Sequence, residues 1–321
     1  MFNLIKNEWM KIFKRVGTYV MIGLILIIVA GSGAFTKYAE SVSDNEPAGQ
    51  QDWKKELQVQ TDETKKMLKE SPEMNKTLQD NYKREIAINE YRIKNDLSPY
   101  VEEESVWTFV EFNANFVTFA GLFTIIVAAG IVASEFTWGT IKLLLIRPIS
   151  RTKILLSKYL TVLLFGITLL VILFGFSTLL GFILFGGGEN VPHLVYVDGQ
   201  VEEKSLVQYL INTYLLKSID IIMMATMAFM ISAVFRSSSL AIGISLFLLF
   251  MGGTATTFIA MKYDWAKYSL FANTDLTQYT GAFTPMIDGM TMGFSIMMLL
   301  IYFIIFILLA FVIFNKRDVA A

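Results

Sequence analysis

Cysteine is missing from all 321 residues, which excludes disulfides, thiol nucleophiles and cysteine-ligated metal centres. Histidine occurs once, at His193 beside Pro192. A lone histidine without clustered carboxylates makes a poor metal site, and it reads as a surface residue. No Gly-x-x-x-x-Gly-Lys-Ser/Thr segment occurs, so the chain cannot cradle nucleotide phosphates in a P-loop. Gly186-Gly187-Gly188 is read as a flexible loop and not a phosphate cradle, because no strand is expected before it. No Ser/His pair, paired aspartates or metal constellation falls inside an apolar run, so the chain is not expected to be an enzyme. Charge is scarce, at 17% of residues, and nearly balanced at a net −1. With no basic excess to neutralise phosphates, a nucleic-acid partner is excluded.

What the chain has in abundance is apolar surface, with 54% of its residues hydrophobic. A helix needs about 20 apolar residues to cross a hydrocarbon core of about 30 Å. Runs near that length or longer occur at 16–35, 109–134, 154–185, 206–235, 240–261 and 292–314. The expected fold is an all-α integral membrane protein with six transmembrane helices. The first run, with its basic start and small residues at 30–34, could also describe a signal peptide, but it is long for one and many spans follow. Some runs exceed 20 residues, so tilt, kinks or extensions beyond the bilayer are expected.

Residues 1–15 read as an amphipathic helix, with Phe2, Ile5, Trp9, Ile12 and Phe13 at helical spacing and Lys6, Asn7 and Lys14 on the other face. Such a helix suits the membrane interface. The first transmembrane helix is placed at 16–36. The polar stretch 37–107 holds two helical candidates, 52–70 and 72–95, broken at Ser71-Pro72 and held by a thin apolar seam. It is expected to be an extracellular helical hairpin whose many charges form a solvated face. Residues 108–321 carry the other five spans.

Orientation follows from lysine and arginine in short loops. Lys6, Lys11, Lys14 and Arg15 precede the first span, and Lys142, Arg147, Arg151, Lys153 and Lys158 lie between the second and third. Arg236 lies between the fourth and fifth, and Lys316 and Arg317 follow the sixth. On the other side, 186–205 carries only Lys204, and the connection around 263–289 carries Lys267, with Lys262 at its margin. Both termini are therefore expected in the cytosol, with the hairpin outside.

The stretch 135–151 carries the most information. Glu135 closes the second span, Gly139-Thr140 introduces a short helix with Ile141, Leu144 and Leu145 on one face, and Arg147-Pro148-Ile149-Ser150-Arg151 follows. Pro148 disfavours helix at Arg147, and Ser150 suits the cap of the next helix. Ile141 and Leu145 can act as knobs for a partner's groove, with Lys142, Arg147 and Arg151 ready for carboxylates around it. Glu135 can bind a basic residue of the partner or tie back to the N-terminal lysines. The plainer alternative is a basic, positive-inside loop.

The pattern Glu-x-x-x-Gly-Thr, an apolar turn and then Arg-Pro-Ile-Ser-Arg resembles the coupling helix of the permease subunit of type-2 ABC transporters. The resemblance extends over nearly the whole chain: an interfacial N-terminal helix, six spans and both ends inside. The polar stretch after the first span departs from the family pattern, and the connection near 263–289 has no obvious re-entrant hairpin signature. The resemblance implies a separate ATPase subunit that holds ATP and magnesium, and no cofactor in this chain. It also implies a second permease copy or a paralogue, and a bacterial plasma membrane. The implied function is export of a peptide, drug-like or lipid-like substrate.

Ionisable residues within spans are candidate functional sites. Lys217 and Asp220, three apart, either pair with each other or mark the outer mouth of a substrate path. Met223, Met224, Met227 and Met230 either line an adaptable apolar path or fill space between helices. Gly252-Gly253 with Thr254, Thr256 and Thr257 permits close helix approach. Glu111 is expected at the interface. A different functional class stays open: a non-transporting anchor or sensor whose outer hairpin detects a ligand. An ion-coupled carrier would want mid-membrane ionisable residues and internal repeats, and neither is evident.

Overall fold

A computed structural model describes residues 1–43, 53–71, 76–99, 105–145, 148–187, 192–197, 199–235, 237–280, 285, 287 and 289–316. Asp52, Pro72, Arg147, Gly188, Arg236 and Arg317 lie outside the described residues, as do the side chains of Leu144 and Leu145.

Among the described residues, six helical stretches are long and apolar enough to cross a membrane: Val16–Val42, Val106–Thr137, Arg151–Phe185, Leu206–Val234, Ser238–Ala260 and Met292–Lys316. In chain order the helices begin with α1 (Phe2–Phe13), α2 (Val16–Ser43), α3 (Trp53–Glu70) and α4 (Lys76–Asn95). The second span consists of α5 (Val106–Asn113), a 3-10 turn (Ala114–Phe116), α6 (Val117–Ile131) and α7 (Ala133–Thr137). After α8 (Ile141–Leu145) come the long helices α9 (Arg151–Phe185), α10 (Leu206–Val234) and α11 (Ser238–Ala260), then the short α12 (Leu270–Asn273) and finally α13 (Met292–Lys316). The chain is a multi-pass membrane protein built almost wholly of α-helices.

α6 and α10 form the buried centre, and α9, α11 and α13 pack around them. α6 is built for this position, because Ala120, Gly121, Ala128, Ala129 and Gly130 are buried small residues that let neighbouring backbones approach. The outer faces of α2, α11 and α13 are exposed and apolar, as lipid contact requires. At 35 residues, α9 is about 52 Å long and outruns a 30 Å hydrocarbon core.

Three local departures from the sequence expectation have physical causes. α2 continues to Ser43, well past residue 36, because the polar stretch after the apolar run keeps helical pairing; Lys37 and Glu40 form an i,i+3 ion pair at 2.7 Å. The loop 186–205 contains an antiparallel hairpin, β1 (His193–Val197) paired with β2 (Gln200–Lys204). Gly199, between the strands, takes the positive φ of 84° that such tight hairpins need. The connection after α11 is a folded cap made of a 3-10 turn (Asp264–Tyr268), α12 and another 3-10 turn (Leu276–Tyr279). Asn273 organises the cap. Its amide donates to the Lys267 and Ser269 carbonyls at 2.8 and 2.7 Å, and its carbonyl accepts from Ser295 of α13 at 2.7 Å.

α3 and α4 pack on each other, joined by the Lys65–Glu90 ion pair at 2.7 Å. α4 meets the β-hairpin where Tyr91 donates to Glu203 at 3.1 Å. The 3-10 break in the second span is fixed by polar bonds. Asn113, fully buried, donates to the Phe109 carbonyl at 2.9 Å and accepts from Ser32 of α2 at 2.8 Å.

Candidate functional site

The stretch from Glu135 to Arg151 leaves the second span in two steps. α6 ends at Val132, where the backbone bends to φ −100°, and the amides of Val132 and Ala133 are held by the Ser232 hydroxyl of α10 at 3.2 and 3.0 Å. α7 then runs for a single turn and stops at Trp138-Gly139. Gly139 has φ +71°, a left-handed conformation that a side chain would strain. Thr140 follows, and its hydroxyl donates to the Glu135 carboxylate, so the turn is closed by one of its own side chains before α8 begins.

Glu135 belongs to a buried ionic cluster drawn from three elements. The Lys158 ammonium of α9, 2% exposed, donates to Glu135 at 2.8 Å and to Glu8 of α1 at 2.7 Å. Lys11 bridges the same two carboxylates at 2.8 Å to Glu8 and 3.3 Å to Glu135. Two ammonium groups face two carboxylates, so the cluster is neutral, which is what lets it sit among apolar helices; an isolated buried charge would be prohibitive. Burial alone would lower the pKa of Lys11, but its hydrogen bonds and attraction to Glu8 and Glu135 outweigh that and raise it. The cluster ties α1 and the 135–151 stretch to the same point on α9.

Aromatic packing reinforces the tie. Trp9 lies against Phe13 at 4.5 Å, and Phe13 meets Phe165 of α9 edge-on at 6.1 Å. On the outside, the Arg15 guanidinium lies over Trp138 at 5.2 Å, a cation–π contact between the end of α1 and the end of α7.

The sequence-selected residues fall into different environments. Ile141 is 4% exposed and packs into the chain's own core, so it is not an outward knob. Among the described side chains, the large apolar ones presented outward here are Trp138 and Leu143, beside exposed Lys142 and Pro148. Ser150 occupies the N-cap position of α9 but makes no side-chain cap bond. Arg151 donates to the Asn315 carbonyl of α13 at 3.2 Å, while the Asn315 amide reaches Thr152 at 3.2 Å. Arg151 thus fastens α9 to the end of α13.

Lys217 and Asp220 share a face of α10 but do not pair. Lys217 donates at 3.1 Å to the Ala114 carbonyl, which also accepts from the Val117 amide that closes the 3-10 turn. Asp220 instead faces Thr274 and Asp275 of the folded cap. Met223 and Met227 are buried in the main core, where they fill space between helices. His193 stacks on Tyr209 at 3.7 Å and lies 3.8 Å from Glu111, so it is an inter-element contact and not a surface residue. Among the described residues, no group of three or more histidines, aspartates or glutamates is placed to hold a metal ion.

Sequence reasoning missed Glu8 and undervalued Lys158. Glu8 stands one turn from both Ile5 and Ile12, on the apolar stripe, and that misplacement was a readable signal. Lys158 lies inside an apolar run, where an ionisable residue calls for a named partner.

The chain is 56% identical over 323 residues to "Uncharacterized protein YhcI" of Bacillus subtilis (strain 168), covering the full length of both. It is 36% identical over 200 residues to "Uncharacterized membrane protein YdbK" of the same organism, covering 61% of this chain and 76% of that one. Residues 87–320 match the family described as "Protein of unknown function (DUF2705)", and the chain belongs to that family.

Proposed function

We propose that the chain is the membrane-spanning permease subunit of an ATP-driven exporter, with the stretch 135–151 as the input lever for a separate ATPase. The observation that carries this reading is the anchoring of that stretch. Glu135 is held by Lys158 inside a span and shares that lysine with Glu8, so a push on α8 reaches α9 and α1 through charge-assisted hydrogen bonds. An ordinary basic loop has no need of such a mount. Trp138, Lys142 and Leu143 are what the lever offers to a partner.

In this reading α1 lies in the cytosolic interface of a bacterial plasma membrane, both termini are cytosolic, and α3, α4 and the β-hairpin are outside. A second copy or a paralogue completes the path, and the partner ATPase supplies ATP and magnesium. The cargo class is peptide, drug-like or lipid-like.

The test is co-expression with Walker-motif ATPases from the same genome, followed by affinity purification and ATPase measurement in lipid. One ATPase should co-purify, and its rate should change when the permease is present. Trp138→Glu with Leu143→Glu should abolish both effects while leaving the fold intact. An ATPase that stays bound to this double variant and is stimulated by it as before would sink the assignment of the lever.

A further inference from the structure

A cleft of about 290 Å3 opens between α1 and the start of α9. One wall is the stripe Leu4, Asn7, Glu8, Lys11 and Lys14, and the other is formed by Ile149, Ile154 and Ser157, with Met10 at the flank. The apolar walls and the cationic edge point to an amphiphile. We propose that this cleft binds the phosphate-bearing head and first carbons of one anionic phospholipid.

Charge selects the sign. Glu8, the one acid in the lining, is already committed to Lys158 and Lys11. Lys14 is exposed at the cleft and makes no ion pair among the described residues. Lys6, Arg15, Lys142, Arg151 and Lys153 surround the same end of the molecule, where the described acids are Glu8 and Glu135. A phosphodiester beside Lys14 meets a net positive field, whereas a cationic or neutral head gains nothing from it.

Shape selects a lipid over a free anion. Leu4, Met10, Ile149 and Ile154 would leave a small phosphate in contact with hydrocarbon it cannot use. An esterified glycerol with the start of its chains buries that surface. The volume lies at the small end for ligand sites, which suits a headgroup with part of a chain and excludes a whole lipid. The inference needs α1 to lie at a membrane surface but does not depend on the ATPase reading.

The full-length chain can be reconstituted into nanodiscs of phosphatidylcholine doped with phosphatidylglycerol, then extracted gently and weighed by native mass spectrometry with its retained lipid. Phosphatidylglycerol should be retained over phosphatidylcholine. Lys14→Gln should lower that retention about fivefold, the scale of one lysine's attraction to an anionic lipid surface. Met10→Trp, which fills the cleft, should remove it without reversing any charge. Lys142→Gln, which removes a charge outside the cleft, should lower retention far less than Lys14→Gln. Equal retention of the two lipids overturns the proposal, as does an equal loss in Lys142→Gln, which would mean diffuse surface attraction. Displacement of the lipid by glycerol phosphate alone would also overturn it, since the apolar walls would then contribute nothing.

Discussion

Lys158 is the residue on which most of the lever's attachment converges. Replacing it with methionine keeps the bulk but leaves Glu8 and Glu135 sharing only Lys11. Removing one partner from a buried ion pair costs about 3–5 kcal/mol. Lys158→Met should therefore lower the unfolding free energy in mixed micelles by an amount in that range. Adding Glu8→Gln and Glu135→Gln to the same chain should recover most of the loss, because the only charge then left without a partner in the cluster is Lys11, whose half-exposed ammonium reaches water. A triple variant no more stable than Lys158→Met would show that the charges themselves are not what binds the three elements.

His193 allows a second test at the scale of one side chain, since no other histidine interferes. Burial lowers its pKa, and the positive charges of Arg92 and Lys204 add to the effect. Glu111, 3.8 Å away, favours the charged ring but does not overcome them. A folded pKa below the unfolded value of 6.5 means that the unfolded chain takes up the proton first. The contribution is fully present above pH 6.5 and is lost as pH falls through the folded value. Labelled-histidine NMR should give a titration midpoint below 6.5 in the wild type, and His193→Phe should flatten the acid limb of the stability profile. A midpoint above 6.5 would show that Glu111 dominates.

At the scale of elements, the folded cap after α11 depends on close contact. A Cβ placed on Gly252 would lie 2.4 Å from the Phe271 ring of α12, whereas one on Gly253 would meet nothing within 4 Å. Gly252→Ala must push the ring off α11 and should destabilise by about 1–3 kcal/mol. Gly253→Ala should be neutral or stabilising by up to about 1 kcal/mol, because glycine is the costlier residue in a helix. Thermal unfolding of the two variants side by side separates packing from helix propensity.

Elements also differed in how readable they were. The spans were legible because a long apolar run has few other destinations than a helix in lipid. The β-hairpin was missed because its strands are short and flanked by a glycine run, although Asp198-Gly199 was a signal for it. The cap had no signature, because its fold depends on contacts such as Ser295 with Asn273 that hydropathy does not encode. The lever was visible in outline, but its burial pattern was not. Ile141 looks like an outward knob on a helical wheel but is buried just after the left-handed Gly139 breaks the helix between α7 and α8. The ionic cluster was the least legible part, since Lys158 and Glu8 stand 150 residues apart and only the fold brings them together.

For the whole molecule, the absence of cysteine turns a liability into a tool. Single cysteines at Lys66 of α3 and at Lys142 of α8, both exposed, should react with a membrane-impermeant maleimide on opposite sides. The first should label in intact cells, and the second only after permeabilisation. Labelling of Lys142→Cys in intact cells would place the lever outside and remove the exporter reading while leaving the multi-span fold untouched.

The bond from Lys217 to the Ala114 carbonyl also bears on how this bundle can move. That carbonyl keeps its bond from the Val117 amide within the 3-10 turn, but α10 cannot glide past α5 and α6 by small amounts without pulling the half-buried Lys217 ammonium off it. The next place where a donor on α10 could meet it is a full turn away, about 5.4 Å along the axis. Sliding of α10 should then proceed as a click between notches, with the lysine as the pawl.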